Sequence, residues 1–305
     1  MIARIVWPAL LLTAVASPGI AQPASTLKDA RAGHGPNVIT PMRQKAKPPK
    51  PPKQSGLQLV SYPGPLGAMA GYFTKAPQDG QKRPAIIWIS GGNTAIGNFW
   101  TAQPRDNDQT AMAFREAGLL VFYPSVRGLN GNPGQIEGFY GELDDLVAAT
   151  KWLKQQPGVD PDRVYLGGHS SGGTMVLLAA AYAGDWKGVV SFGPTHDPRG
   201  YGPQLWGALP FDSGNVKDSD LRAPRNWLGS ITVPTLVLEG DQRGNVGALD
   251  VLRGSNRNPR VHFTLARGCS HFSILRPASE KIARAMAEDG FETLLAEKGF
   301  SIACP

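Results

Sequence analysis

The chain predicts an α/β fold built on a mostly parallel, doubly wound sheet with helices on both faces. Three observations carry that prediction. From Gly56 onward, short β-rich runs alternate with helical stretches. One run ends in a Gly-x-Ser-x-Gly pentad that opens directly into an apolar helix. No internal repeat and no long Pro/Gly-rich break divides the body, so a single domain is expected over residues 56–305. In chain order, the strand candidates are 57–61, 67–74, 85–89, 119–123, 163–166, 188–192, 235–238 and 261–265. The clearest helix candidates are 110–117, 141–155, 173–183 and 277–287. The longest insertion, 194–229, lies between two predicted strands as a loop-rich cap.

The first 55 residues read differently from the rest. Residues 1–21 have one early charge, Arg4, then an apolar run, then Gly19-Ile20-Ala21 with small residues where a signal peptidase checks. This is the pattern of a secretory signal peptide cut after Ala21, and it predicts an exported, periplasmic or secreted protein. Residues 22–55, ending in Lys45-Ala46-Lys47-Pro48-Pro49-Lys50-Pro51-Pro52-Lys53, have few apolar side chains and predict a disordered, basic, Pro-rich tether. Two readings of the tether stay open: a solvated linker, or electrostatic attachment to an anionic envelope surface.

The formal net charge is +7. Residues 1–55 hold Arg4, Lys28, Arg31, Arg43, Lys45, Lys47, Lys50 and Lys53 against Asp29 alone, so the remaining chain is neutral. A nucleic-acid-binding domain would carry its basic excess on a folded face, so that class is not expected. No cofactor is expected either. No His/Cys cluster has zinc spacing and no Gly-rich loop ends in Gly-Lys-Ser/Thr. In an oxidising compartment the two cysteines, Cys269 and Cys304, are candidates for a disulfide, against the reading of two unpaired thiols.

The chemistry is concentrated in Gly168-His169-Ser170-Ser171-Gly172, between the β-rich Arg163-Val164-Tyr165-Leu166 and the Ala/Leu-rich stretch from Thr174. A serine on a sharp strand-to-helix turn needs small residues two positions to either side, because a Cβ there would collide with the strand or helix it joins. Gly168 and Gly172 meet that need around Ser170. The turn also puts the Ser171 N–H at a helix N-terminus, facing an oxygen that turns negative in acyl transfer. A second donor of an oxyanion hole is sought in the loop after an earlier strand. There Ser90-Gly91-Gly92-Asn93 offers the N–H of Gly92 or Asn93, tight-turn glycines being the alternative.

A serine hydroxyl needs a base and an orienting acid, which follow it in chain order in such folds. Of five histidines, His34 lies in the tether, His169 in the elbow, His196 before the acid region and His262 within a predicted strand. His271, in a loop after the last strand, is therefore the candidate base. For the acid, Asp241 is preferred as a loop residue able to swing toward His271; Glu239, nearer the strand interior, and Asp250 stay open. Substrate-pocket candidates are His169 beside the nucleophile and Trp206 and Phe211 in the insertion, with cap packing as the other role for the aromatics.

With these motifs in hand, residues 85–287 resemble the α/β-hydrolase superfamily, and within it the prolyl oligopeptidase (S9) catalytic-domain group and related esterases. The resemblance rests on Ser125-Val126-Arg127-Gly128, Gly141-Glu142-Leu143-Asp144-Asp145-Leu146, Asp160-Pro161-Asp162-Arg163-Val164 and the elbow in combination. It implies that Arg127 and the Asp144/Asp145 pair are scaffold groups. The chain departs from the group in having Ser171 where many of those peptidases have tyrosine, and Arg243 where their aspartate commonly falls. The expectation is a serine hydrolase acting on a small ester or short peptide. The alternative is a catalytically impaired, hydrolase-like envelope binding protein. A carboxylate about 3 Å from His271, on the side away from Ser170, separates the two.

Overall fold

The computed structural model describes residues 26–92, 95–201, 205, 207–297 and 300–304; the expected signal peptide lies outside them. The sheet has eight strands: β1 (Leu57–Gly64), β2 (Gly67–Thr74), β3 (Arg83–Ile89), β4 (Leu120–Pro124), β5 (Val159–His169), β6 (Gly188–Phe192), β7 (Thr235–Gln242) and β8 (Val261–Ser270). Their spatial order is β1-β2-β4-β3-β5-β6-β7-β8. β1 pairs antiparallel with β2, and β2 antiparallel with β4; every later pairing is parallel. The expected strands all form. β5, β7 and β8 run further than their apolar runs suggest, because ladder pairing continues after the side chains turn polar.

The helices are α1 (Leu27–Arg31), α2 (Met112–Glu116), α3 (Glu142–Lys154), α4 (Ser171–Tyr182), α5 (Val216–Asp220), α6 (Val246–Ser255), α7 (Leu275–Ala287) and α8 (Phe291–Ala296). α3 buries Leu143, Leu146, Thr150 and Leu153, a helical stripe, and opens with Glu142, Asp144 and Asp145 at its positive end. α4 is buried almost all round, as its Val-Leu-Leu-Ala-Ala-Ala run requires. α7 begins two residues before Pro277, which is tolerated in a first turn where no intrahelical N–H is needed. One core, containing Phe122, Leu143, Leu146 and Leu177, lies on one face of the sheet. The other, containing Trp88, Phe114, Phe192 and Ile282, lies on the opposite face.

The expected disordered tether needs correction. Leu27 is fully buried. Arg31 is buried too and donates to the carbonyls of Phe139, Tyr140 and Leu221 at 2.8–3.0 Å. Further along, Val38 bridges Phe211, Gln44 N–H donates to Gly128 O, and Pro49 O accepts from the Tyr72 hydroxyl. Low apolar content does fit the lack of helix or strand over 41–52. It misses that backbone and guanidinium hydrogen bonds fasten this strap to a core supplied by the rest of the chain. Lys45, Lys47, Lys50 and Lys53 stay exposed along it.

The Arg31 contacts meet those of Arg222, which is fully buried and paired with Asp218. Arg222 donates to Gly138 O at 3.0 Å, and both guanidiniums lie over the Tyr140 ring. The strap, the 137–140 loop and the insertion are thereby held together. The structure also joins Cys269 to Cys304, tying the C-terminal tail to β8.

Candidate active site

β5 delivers its last residue, His169, to the turn, and Ser170 caps α4 with φ 55° and ψ −117°. That strained conformation is the expected elbow. A Cβ on Gly168 would sit 2.6 Å from Gly172 O, and one on Gly172 2.2 Å from Ile89 O on β3. The glycines are therefore fixed by the close approach of the turn to its own helix and to the neighbouring strand. Ser170 N–H donates to Phe192 O at 2.7 Å, and Ser170 O accepts from Thr174 N–H, pinning the elbow between β6 and α4.

The Ser171 N–H lies in the first turn of α4, where no intrahelical acceptor exists. The Ser171 hydroxyl donates to Gly92 O at 2.9 Å, which docks the loop after β3 onto the elbow. Gly92 adopts φ 76° there. Asn93, the other expected donor, lies outside the described residues. Gly92 and Ser171 border an apolar cavity of about 50 Å³ whose wall includes Ile96, Phe99, Leu129, Phe139, Met175 and Leu205. The buried Glu142 lines it as well. Burial pushes the Glu142 carboxyl above its ordinary range, and it accepts the N–H groups of Glu137 and Tyr140.

His271 follows β8 directly, and its Nδ1 lies 2.8 Å from Glu239 Oε2. The preferred acid, Asp241, is thus corrected to Glu239. β7 continues through both carboxylates to Gln242, so neither is in a loop. Asp241 instead accepts the Gly268 N–H at 2.8 Å, where the β7–β8 register shifts. Glu239 is wholly buried, with Gly240 N–H on Oε1 and Asn245 N–H on Oε2. Its longer side chain reaches His271 from inside the strand. Gly193 makes room for the pair: a Cβ there would lie 2.5 Å from His271 Cε1. Asp250 pairs with Arg253 on the exposed face of α6.

Two of the pocket candidates also need correction, and Trp206 lies outside the described residues. His169 is buried under the site: its Nε2–H donates to His271 O at 2.9 Å, and its Nδ1 faces the Gln109 amide. Burial first, then the neighbouring His271, push its pKa down to about 3. Phe211 is buried beneath the Arg222 guanidinium rather than lining the cavity, because its bridge to Val38 turns it into the strap–cap seam. The insertion supplies Tyr201 instead. Its hydroxyl lies 2.7 Å from Thr174 Oγ1 and interacts with the Ser170 side chain, and burial raises its pKa. Tyr201 carries no motif, so only the fold could find it.

Of the scaffold groups, Asp145 accepts Arg127 N–H, Nε and Nη2 at 2.8–3.0 Å, while Glu137 takes the other guanidinium nitrogen. Asp144 is separate, accepting from the Tyr182 hydroxyl.

The low pKa of His169 has a consequence for stability. An unfolded histidine binds a proton below pH about 6.5 whereas His169 in the fold does not until about 3, so acid favours the unfolded chain. The stability contributed by this residue falls as pH drops from about 6.5 toward 3, by at most about 1.4 kcal/mol per pH unit. Urea unfolding of the protein at pH 7 and pH 5, beside His169→Gln, is expected to show a shallower acid decline in the variant.

Fold and elbow together define a serine hydrolase with an α/β-hydrolase fold. Residues 106–242 match the prolyl oligopeptidase family, peptidase S9. The chain is 26% identical to the uncharacterized peptidase YtmA of Bacillus subtilis (strain 168) over 215 residues, 67% of this chain and 79% of that protein. Among solved structures, it is similar to an esterase of Pyrobaculum calidifontis (TM-score 0.55, 18% identity, covering 81% of this chain and 88% of that one). It is likewise similar to an acylaminoacyl peptidase of Pyrococcus horikoshii (TM-score 0.58, 17% identity), covering 80% of this chain but 43% of that larger one. At such identities the two structures establish the fold alone.

Proposed function

We propose that the chain is an exported hydrolase that cleaves a carboxyl ester or peptide bond through an acyl-enzyme, with Ser170, His271 and Glu239 as its triad. The observation that carries this is the 2.8 Å contact of His271 Nδ1 with a fully buried carboxylate. An acceptor at Nδ1 makes that nitrogen the protonated one and leaves the Nε2 lone pair to act as base. Ser170 Oγ attacks the carbonyl carbon as its proton passes to His271 Nε2. The oxygen that becomes negative is held by the Ser171 N–H and by the Gly92 side of the loop after β3. His271 then gives its proton to the leaving oxygen or nitrogen. A water, deprotonated in the same way, attacks the ester to Ser170 and releases the acid. The apolar cavity beside Gly92 and Ser171 favours small apolar acyl groups.

The binding-protein alternative needs a displaced acid, and the 2.8 Å contact between His271 Nδ1 and the buried Glu239 counts against it. Export is supported by the leader pattern and by the Cys269–Cys304 bond, which persists in oxidising compartments. The exposed lysines of the strap leave its contact with an anionic envelope as part of the same proposal.

The test is fluorophosphonate labelling of the mature protein beside Ser170→Ala and His271→Ala, followed by turnover of p-nitrophenyl esters and short peptides. Labelling is expected in the wild type and lost in both variants. A folded wild type that resists the probe overturns the triad and returns the binding-protein reading.

A further inference from the structure

We propose that His169 is a positioning residue that, oriented by Gln109, sets the spacing between the nucleophile and the base. The inference rests on the triad proposed above and concerns a network that the triad does not include. Gln109 sits in a loop that touches two segments of the site. Its Oε1 accepts the Gly91 N–H at 3.2 Å, from the loop after β3. Its Nε2 donates to His169 Nδ1 at 2.9 Å and to Asn107 Oδ1 at 2.9 Å. On the far side of the ring, Nε2–H donates to the backbone carbonyl of His271.

Two backbone groups at the ends of this chain decide every hydrogen in it. Gly91 N–H can only donate, so the Gln109 oxygen must face it and the amide nitrogen is turned to His169. The His271 carbonyl can only accept, so His169 carries its proton on Nε2 and presents a bare Nδ1 to the amide. The two requirements agree on one neutral tautomer. The ring and the nucleophile close tightly over Gly91, where a Cβ would lie 2.9 Å from His169 Nδ1 and 3.1 Å from Ser170 Cβ. The imidazole therefore acts as a spacer of fixed length. Its backbone is covalently next to Ser170, its far nitrogen holds the backbone of His271, and the two rings pack with centroids 4.5 Å apart. Glu239 fixes how the base is rotated; His169 fixes where its backbone stands.

The experiment compares kcat and KM of wild type, His169→Phe, His169→Gln and Gln109→Leu in p-nitrophenyl ester hydrolysis, with thermal melts to confirm folding. Phenylalanine fills the volume and removes the donor, and kcat is expected to fall roughly 10–100-fold with KM within about twofold, since misplacement by about 1 Å costs that much. Glutamine keeps a donor at the reach of Nε2 and is expected to recover most of the loss. With the base backbone freed, the Glu239 contact loosens, and the loss falls on kcat rather than on KM. If His169→Phe does not fold, Gln109→Leu decides, with a smaller loss in kcat expected. A folded His169→Phe with kcat within twofold overturns the proposal, as does a glutamine variant no better than phenylalanine, or an unchanged kcat in Gln109→Leu where it must decide. A wild type that neither labels nor turns over overturns the triad itself, a failure visible before any variant is compared.

Discussion

Glu239→Gln is expected to lower kcat on the order of 10³–10⁴-fold, the scale seen when the acid of such a triad is made an amide. The hydrogen bonds around Glu239 explain why the isosteric change is so harmful. Its Oε1 receives Gly240 N–H, and its Oε2 receives Asn245 N–H and the His271 Nδ1 proton. An amide has one oxygen and one NH₂. With its oxygen at the Oε2 position, the NH₂ meets the Gly240 N–H, donor against donor in a buried site. Turned over, the NH₂ meets both Asn245 N–H and His271 Nδ1, and the imidazole must move its proton to Nε2, where it can no longer take the serine proton. The first arrangement keeps the tautomer but strains the buried site and removes the charge that stabilises the imidazolium; the second disables the base outright. Asp241→Asn should change kcat less than about threefold, because an amide oxygen can still accept the Gly268 N–H. Steady-state kinetics of the two variants checks the assignment. A large loss in Asp241→Asn with Glu239→Gln nearly unaffected would sink it.

The Cys269–Cys304 bond predicts a large effect of another kind. It closes a loop across a sequence separation of 35, and removing it by Cys304→Ser or by reductant is expected to cost about 3–4 kcal/mol through the entropy returned to the unfolded chain. The melting temperature should fall by roughly 10 °C. Activity at 25 °C should hold within about twofold, because the base is not positioned by the disulfide. The turn that carries it is tied by Ser270 Oγ accepting Ser273 N–H, and the ring is tied to Glu239. Thermal melts with and without dithiothreitol, paired with initial rates at 25 °C, test both halves. A reduced protein that melts unchanged but loses its activity would show that the bond serves His271 instead.

The strands and the nucleophile were legible because each depends on local pattern. A β-branched run in a buried parallel sheet declares itself, and Gly168-His169-Ser170-Ser171-Gly172 needs its glycines for contacts with adjacent segments. The acid was not legible. Glu239 and Asp241 differ by two positions in one strand, and the choice between them was made by the register shift after Gly240. The partnership of Gln109 with His169 spans 60 residues and depends on how β3 and β5 lie side by side. The strap misled for a related reason. Composition reports whether a segment can build a core, and this one uses a core that others build, with Leu27 and Arg31 as its deepest contacts.

Arg31 bridges partners 108, 109 and 190 positions away. Each of these contacts requires the 137–140 loop and the Leu221 end of the insertion to be in place, and closing such long loops carries an entropic cost. The segment that comes before every strand in the chain is thus seated on surfaces built by residues more than 100 positions further on.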